Sequence, residues 1–156
     1  MEKELTFLVV LDDSKEIFNA LRYAARRTAR TNGRVALLYT FETIEFSHWK
    51  AVEDIAEIEL REEAESKIKE YENYVLNFSN KKPKKFIMKG DRVECIVEFL
   101  NANKFISNFI LASSFNKSGS SDPLINAFTI KQSFKIKVPI TIIPPALTEE
   151  EIDNLS

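Results

Sequence analysis

Glycine is scarce in this chain. It occurs three times in 156 residues, and none lies before Gly33, so neither a Gly-rich dinucleotide turn nor a P-loop can be built near the N-terminus. The only cysteine, Cys95, excludes an intramolecular disulfide and a cysteine metal cluster. Placed at the start of a helix it could be a low-pKa thiol, but a small buried side chain is the expected role. The only histidine, His48, could act as an acid or base. With no second histidine and no neighbouring serine–aspartate arrangement, it is expected on the surface or in packing. A strong excess of one sign of charge is missing too. A net charge of −2 gives no basic footprint for nucleic acid. No apolar run approaches the roughly 20 residues of a membrane helix, and the N-terminal run ends in acids without a cleavage-site pattern, so a cytoplasmic protein with no membrane partner is expected.

What is present describes one globular core, with 44% hydrophobic and 29% charged residues. The most informative stretch is FLVVLDDS, residues 7–14. An apolar run from Leu5 to Leu11, broken only by Thr6, delivers Asp12, Asp13 and Ser14 into a helix. Apolar runs of strand length fall at 6–12, 35–41, 85–89, 108–113 and 138–143. Between them run segments of helical period. Ile17, Leu21, Ala24, Ala25 and Thr28 mark the first, which Asn32 and Gly33 should stop. Leu60, Ala64, Ile68, Tyr71, Val75 and Phe78 mark a long second helix, from Val52 to Phe78, whose opposite face is heavily charged. A short third helix spans Val93 to Asn101, and a fourth runs from Pro123 to about Lys135. The order β-α-β-α-β-α-β-α-β, with near-continuous apolar strands, predicts an α/β fold: an open, doubly wound, five-stranded parallel sheet with helices on both faces. In such sheets ligands lie beyond the carboxyl ends of the strands, where Asp12, Asp13 and Ser14 stand.

Local signals sharpen both ends. Thr148 with Glu151 has capping-box spacing, and Leu147 with Ile152 has staple spacing, so a short helix should follow the last strand. Asp122 and Pro123 are an N-cap and a first-turn proline for helix four. The loop before it, SSFNKSGSS, is polar and should lie near Asp12. Asp12 and Asp13 could ligate magnesium beside phosphate oxygens; alternatively, Asp13 or Ser14 caps helix one. Arg22, Arg26, Arg27 and Arg30 line the latter half of helix one, where they could grip an acidic partner or simply complement the helix dipole. The last strand, KVPITIIPP, is apolar on both faces, as an edge that pairs with another chain would be.

Taken in order, FLVVLDDS with helix one, RVALLYTFE, the long acidic helix two, FIMKGD, FILASS and KVPITIIP resemble the universal stress protein family over nearly the whole chain. The resemblance implies a Rossmann-like domain over residues 1–145, with 146–156 as a C-terminal extension. It implies a homodimer joined through the last strand, at Val138, Ile140 and Ile142. Many members of that family bind ATP, and others do not. By resemblance, Asp12 would sit at the adenosine end, Thr40 would lend backbone at the end of strand two, and Gly90 would close strand three. The phosphate end departs from the family pattern. Where nucleotide-binding members carry three glycines, this chain has Ala112, Phe115, and Asn126 with Ala127, which denies phosphates the bare backbone they need. Ser113, Lys117, Gly119 and the loop serines are the available substitutes.

The expected function is a non-catalytic binding or interaction module in stress adaptation, with an unidentified protein partner. The alternative is an ATP- or AMP-responsive protein with weak hydrolysis, using ATP with Mg²⁺. A rival from signalling is a phospho-acceptor receiver domain, for which Asp91 would be the acceptor and Lys137 the lysine near strand five.

Overall fold

The computed structural model describes residues 3–43, 49–114, 122–131 and 135–156, with only the backbone of Lys131 included. His48, Phe115, Lys117 and Gly119 lie outside the described residues. The strands are β1 (Thr6–Val10), β2 (Arg34–Phe41), β3 (Lys84–Lys89), β4 (Ile106–Ala112) and β5 (Ile140–Ile143). The helices are α1 (Ile17–Thr31), α2 (Lys50–Leu76), α3 (Arg92–Ala102), α4 (Pro123–Asn126) and α5 (Glu149–Leu155). All strands pair in parallel, in the order β3-β2-β1-β4-β5. The open, doubly wound α/β sheet expected from the sequence is therefore the fold.

Strand alternation divides the core into two layers. Phe7, Val9 and Leu11 of the first strand and its extension, with Val35 and Leu37, face α1 and α2. Leu8, Val10, Ala36 and Leu38 face α3 and the α4 region. All five residues of β1 are buried, which is why that strand reads as a continuous apolar run.

The α1–β2 turn divides its work between two residues. Asn32 takes the left-handed conformation, φ 54°, that ends α1. Gly33 is required for space, because a Cβ there would stand 2.4 Å from the Leu5 carbonyl oxygen. The Arg34 N–H then donates to that same oxygen at 2.8 Å.

Several boundaries differ from those the sequence predicts. Neither Asp13 nor Ser14 caps α1; its N-cap is Glu16, without a side-chain cap, because the Ser14 N–H and hydroxyl both donate to Asp12. Helix four is not a regular helix. Its single α-turn widens into a π-turn at Ala127–Lys131, where Phe128 is buried edge-on against Phe109, ring centroids 5.3 Å apart. Strand five begins at Ile140, so Val138 precedes it, and strand four begins two residues earlier than expected, at Ile106. The C-terminal capping box forms as expected. Thr148 and Glu151 form both bonds of the capping box, Ile152 is completely buried, and Leu147 packs on the α1–α2 layer.

The arginines of α1 find their acidic partner within the chain, in addition to any dipole effect. Arg22 and Arg26 both clasp the Asp153 carboxylate, and Arg30 donates to the Asp153 carbonyl. Arg27 is exposed. Among the described residues no helix is long and apolar enough to cross a membrane.

Candidate functional site at the carboxyl edge of the sheet

In this strand order the topological switch falls between β1 and β4, whose chains leave the sheet toward opposite layers. Asp12 and Ser113 stand at that point. Beyond β1 the chain folds on itself: the Asp12 carboxylate accepts from the Ser14 N–H at 2.9 Å and from the Ser14 hydroxyl, an Asx-turn typical of Asp-x-Ser. The Tyr71 hydroxyl donates to the Asp12 carbonyl at 3.3 Å, and Lys67 reaches Asp13 at 3.4 Å. These contacts tie the strand end to α2. Burial, then the nearby carboxylates, push the Tyr71 phenol up. Tyr39, Glu63 and Asp13 hold the Lys67 ammonium well above the ordinary lysine range.

A cleft of about 370 Å³ opens to one side, above the ends of β2 and β3. Its walls are Thr40, Phe41, Glu42, Gly90, Asp91, Arg92, Val93, Pro123 and Leu124. Gly90 is built into the rim. Its φ of 138° is open only to glycine, a Cβ would press on Cys95 Sγ at 3.2 Å, and its N–H donates to the Phe41 carbonyl at 2.9 Å. Arg92 lies across the floor, Nε 3.4 Å from Thr40 Oγ1. Cys95 behind it is buried, and burial raises its thiol, so it is not a reactive thiolate.

Several backbone N–H groups at this edge are already engaged. The α3 N-terminus is capped by its own Asp91, which accepts from Glu94 N–H at 3.0 Å. The α4 N-terminus is capped by Asp122, which accepts from Leu124 and Ile125 N–H groups. The Ser113 N–H donates to the Ile143 carbonyl at 2.9 Å, and the Asn126 N–H to the Asp122 carbonyl at 2.9 Å. Ala112 packs against the α1–α2 layer. Glu42 and Asp91 line the cleft beside the Arg92 guanidinium, and the two helix N-termini next to it carry carboxylate caps of their own, Asp91 and Asp122. Among the described residues, no group of three or more His, Cys, Asp or Glu side chains is arranged to hold a metal.

Of the residues singled out from sequence, Thr40 and Gly90 meet in the cleft, whereas Asp12, Asp13 and Ser14 form the neighbouring turn. Phe41, Arg92, Val93 and Leu124 were not foreseen. The signal was there in part, since they occupy the end of β2 and the first turns of α3 and α4, beside the carboxyl ends of the strands where this architecture gathers its ligands. The receiver arrangement is excluded by topology: in that fold β3 is a central strand beside β1, whereas here it is an edge separated from β1 by β2. Asp91 caps α3, and Lys137 is exposed ahead of β5.

Comparison with known proteins supports the same architecture. A family model described as the universal stress protein family matches residues 5–106. The search of curated proteins finds no match. Among solved structures, the universal stress protein UspA from Lactobacillus plantarum superposes with a TM-score of 0.73 at 14% identity, covering 92% of this chain and 99% of that one. A universal stress family protein from Burkholderia pseudomallei gives 0.66 at 14% identity, over 92% and 98% of the two chains. A universal stress protein in complex with cAMP gives 0.60 at 14% identity, over 93% and 100%. On the family match over most of its length and the shared fold, this chain belongs to the universal stress protein family.

Proposed function

We propose that this protein is a non-catalytic binding module in stress adaptation, whose cleft takes a ligand without gripping a triphosphate. The observation that carries this reading is how the described part of the edge is occupied: Asp91 and Asp122 cap the two helix N-termini, and the Ser113 N–H belongs to the sheet. A phosphate there would meet carboxylates and bonded amides in place of bare N–H groups. The walls, Phe41, Val93 and Leu124 with the Thr40 hydroxyl, the carboxylates of Glu42 and Asp91 and the Arg92 guanidinium, suit an apolar ring bearing hydroxyl groups.

A second reading, an adenine-nucleotide sensor using ATP or AMP, draws support from the relative bound to cAMP. Titration calorimetry with ATP and Mg²⁺ separates the two. The first predicts no micromolar binding. Micromolar binding that Asp12→Ala abolishes would establish the second.

The module acts as a homodimer through β5. Among the described residues this strand pairs with β4 alone, Val138 and Ile140 are half-buried, and Ile142 is 39% exposed. An apolar edge with unpaired backbone groups is a template for a second strand.

A further inference from the structure

The 27 residues of α2 make a helix about 40 Å long, whereas β2 and β3, beneath it, have eight and six residues. The excess projects. Buried positions begin only at Ala64, and Lys89 to Glu57 at 3.1 Å and Arg61 over the Phe41 ring tie the helix to the strand ends. On the projecting half, Trp49, Val52, Ile55 and Ile58 are 67%, 44%, 59% and 58% exposed. Three-residue spacing makes them one inclined ridge, the kind that seats in the groove of a second helix. Large apolar side chains clustered in water mark an interaction surface.

Charge selects the occupant. From Lys50 to Glu65, seven carboxylates face two cations. Arg61 is already paired with Glu57, while Asp54, Glu59, Glu62 and Glu65 form no ion pair among the described residues. Carboxylates in the first turns suit the helix dipole, which accounts for Glu53 and Asp54 but not for the apolar ridge. A second copy of α2 would bring like charges together. An anionic membrane surface calls for Lys and Arg on the polar face. We propose that the projecting half of α2 is a docking surface for a basic amphipathic helix of a partner protein, with the partner's apolar side against Val52, Ile55 and Ile58 and its cations against the flanking carboxylates.

The test titrates the full chain with a synthetic amphipathic helix of leucines and lysines, read by the emission of Trp49, the only tryptophan. The expected result is saturable binding with a blue shift, weakened by added salt and reduced roughly tenfold or more in Ile55→Ser/Ile58→Ser, as for the loss of interface anchors. A leucine–glutamate helix should not bind. Equal binding by that variant would reduce the effect to diffuse attraction and overturn the proposal. A concentration-dependent dimer abolished by the same substitutions would assign the ridge to a second copy and overturn it as well.

Discussion

Gly33 and Gly90 owe their identity to different constraints, and their substitutions separate them. At Gly33 the obstacle is the fixed Leu5 carbonyl, 2.4 Å from a new Cβ, so Gly33→Ala must pull β1 away from the α1–β2 turn. A loss of about 2 kcal/mol or more is expected from such overpacking against backbone. At Gly90 the obstacle is φ of 138°, and Gly90→Ala should cost on the order of 1–3 kcal/mol in backbone strain while distorting the cleft rim. Urea unfolding of both variants checks this; midpoints equal to the parent's would contradict it. Asp12 shows what residue-scale reasoning could recover. Asp-x-Ser is an Asx-turn signal as much as a ligand signal, and the structure gives the carboxylate to Ser14. The Arg92 side chain carries no such mark in the sequence, because only the fold brings it to Thr40, 52 positions away.

At the scale of elements, α5 is the least expected contributor to stability. Its Ile152 is fully buried, and Asp153 joins it to α1 through two arginines that also stack on Phe78. Ile152→Ala should cost about 2–4 kcal/mol, as for other buried isoleucines, and thermal unfolding reads it directly. The arginine clasp also has a pH signature. Hydrogen bonds from Arg22, then the charges of Arg22 and Arg26, hold Asp153 below its ordinary value of 3.8. A carboxyl depressed in the folded state stabilises above its unfolded value, and that stability is lost as pH falls through the folded value. Asp153→Asn should therefore flatten the decline in stability below about pH 4; an unchanged acid profile would remove Asp153 from the account. Most elements were legible in the sequence, since burial on both faces writes a strand as an apolar run and burial on one face writes a helix as a stripe. The π-turn after α4 was not legible, because it follows from how Phe128 seats on Phe109, a tertiary contact.

For the whole molecule, the sheet order decides which strand ends meet, and no local pattern encodes it. The order β3-β2-β1-β4-β5 places β5 at an open edge. If dimers form there, Ile142→Lys should shift the protein toward monomer in light scattering, since a charge on an edge strand opposes pairing; an unchanged mass would exclude this edge. The cleft belongs to the same scale. Three separated turns build it, so its self-capped character was invisible in the chain, although the missing glycines already argued against a phosphate loop. The most direct test compares the affinities of adenosine, AMP and ATP with Mg²⁺ in one calorimetric series. Carboxylate caps on both neighbouring helix N-termini, Asp91 and Asp122, with Glu42 in the wall, predict affinity that stays level or falls as phosphates are added. A rise of about tenfold or more from adenosine to ATP, worth about 1.4 kcal/mol, would contradict it.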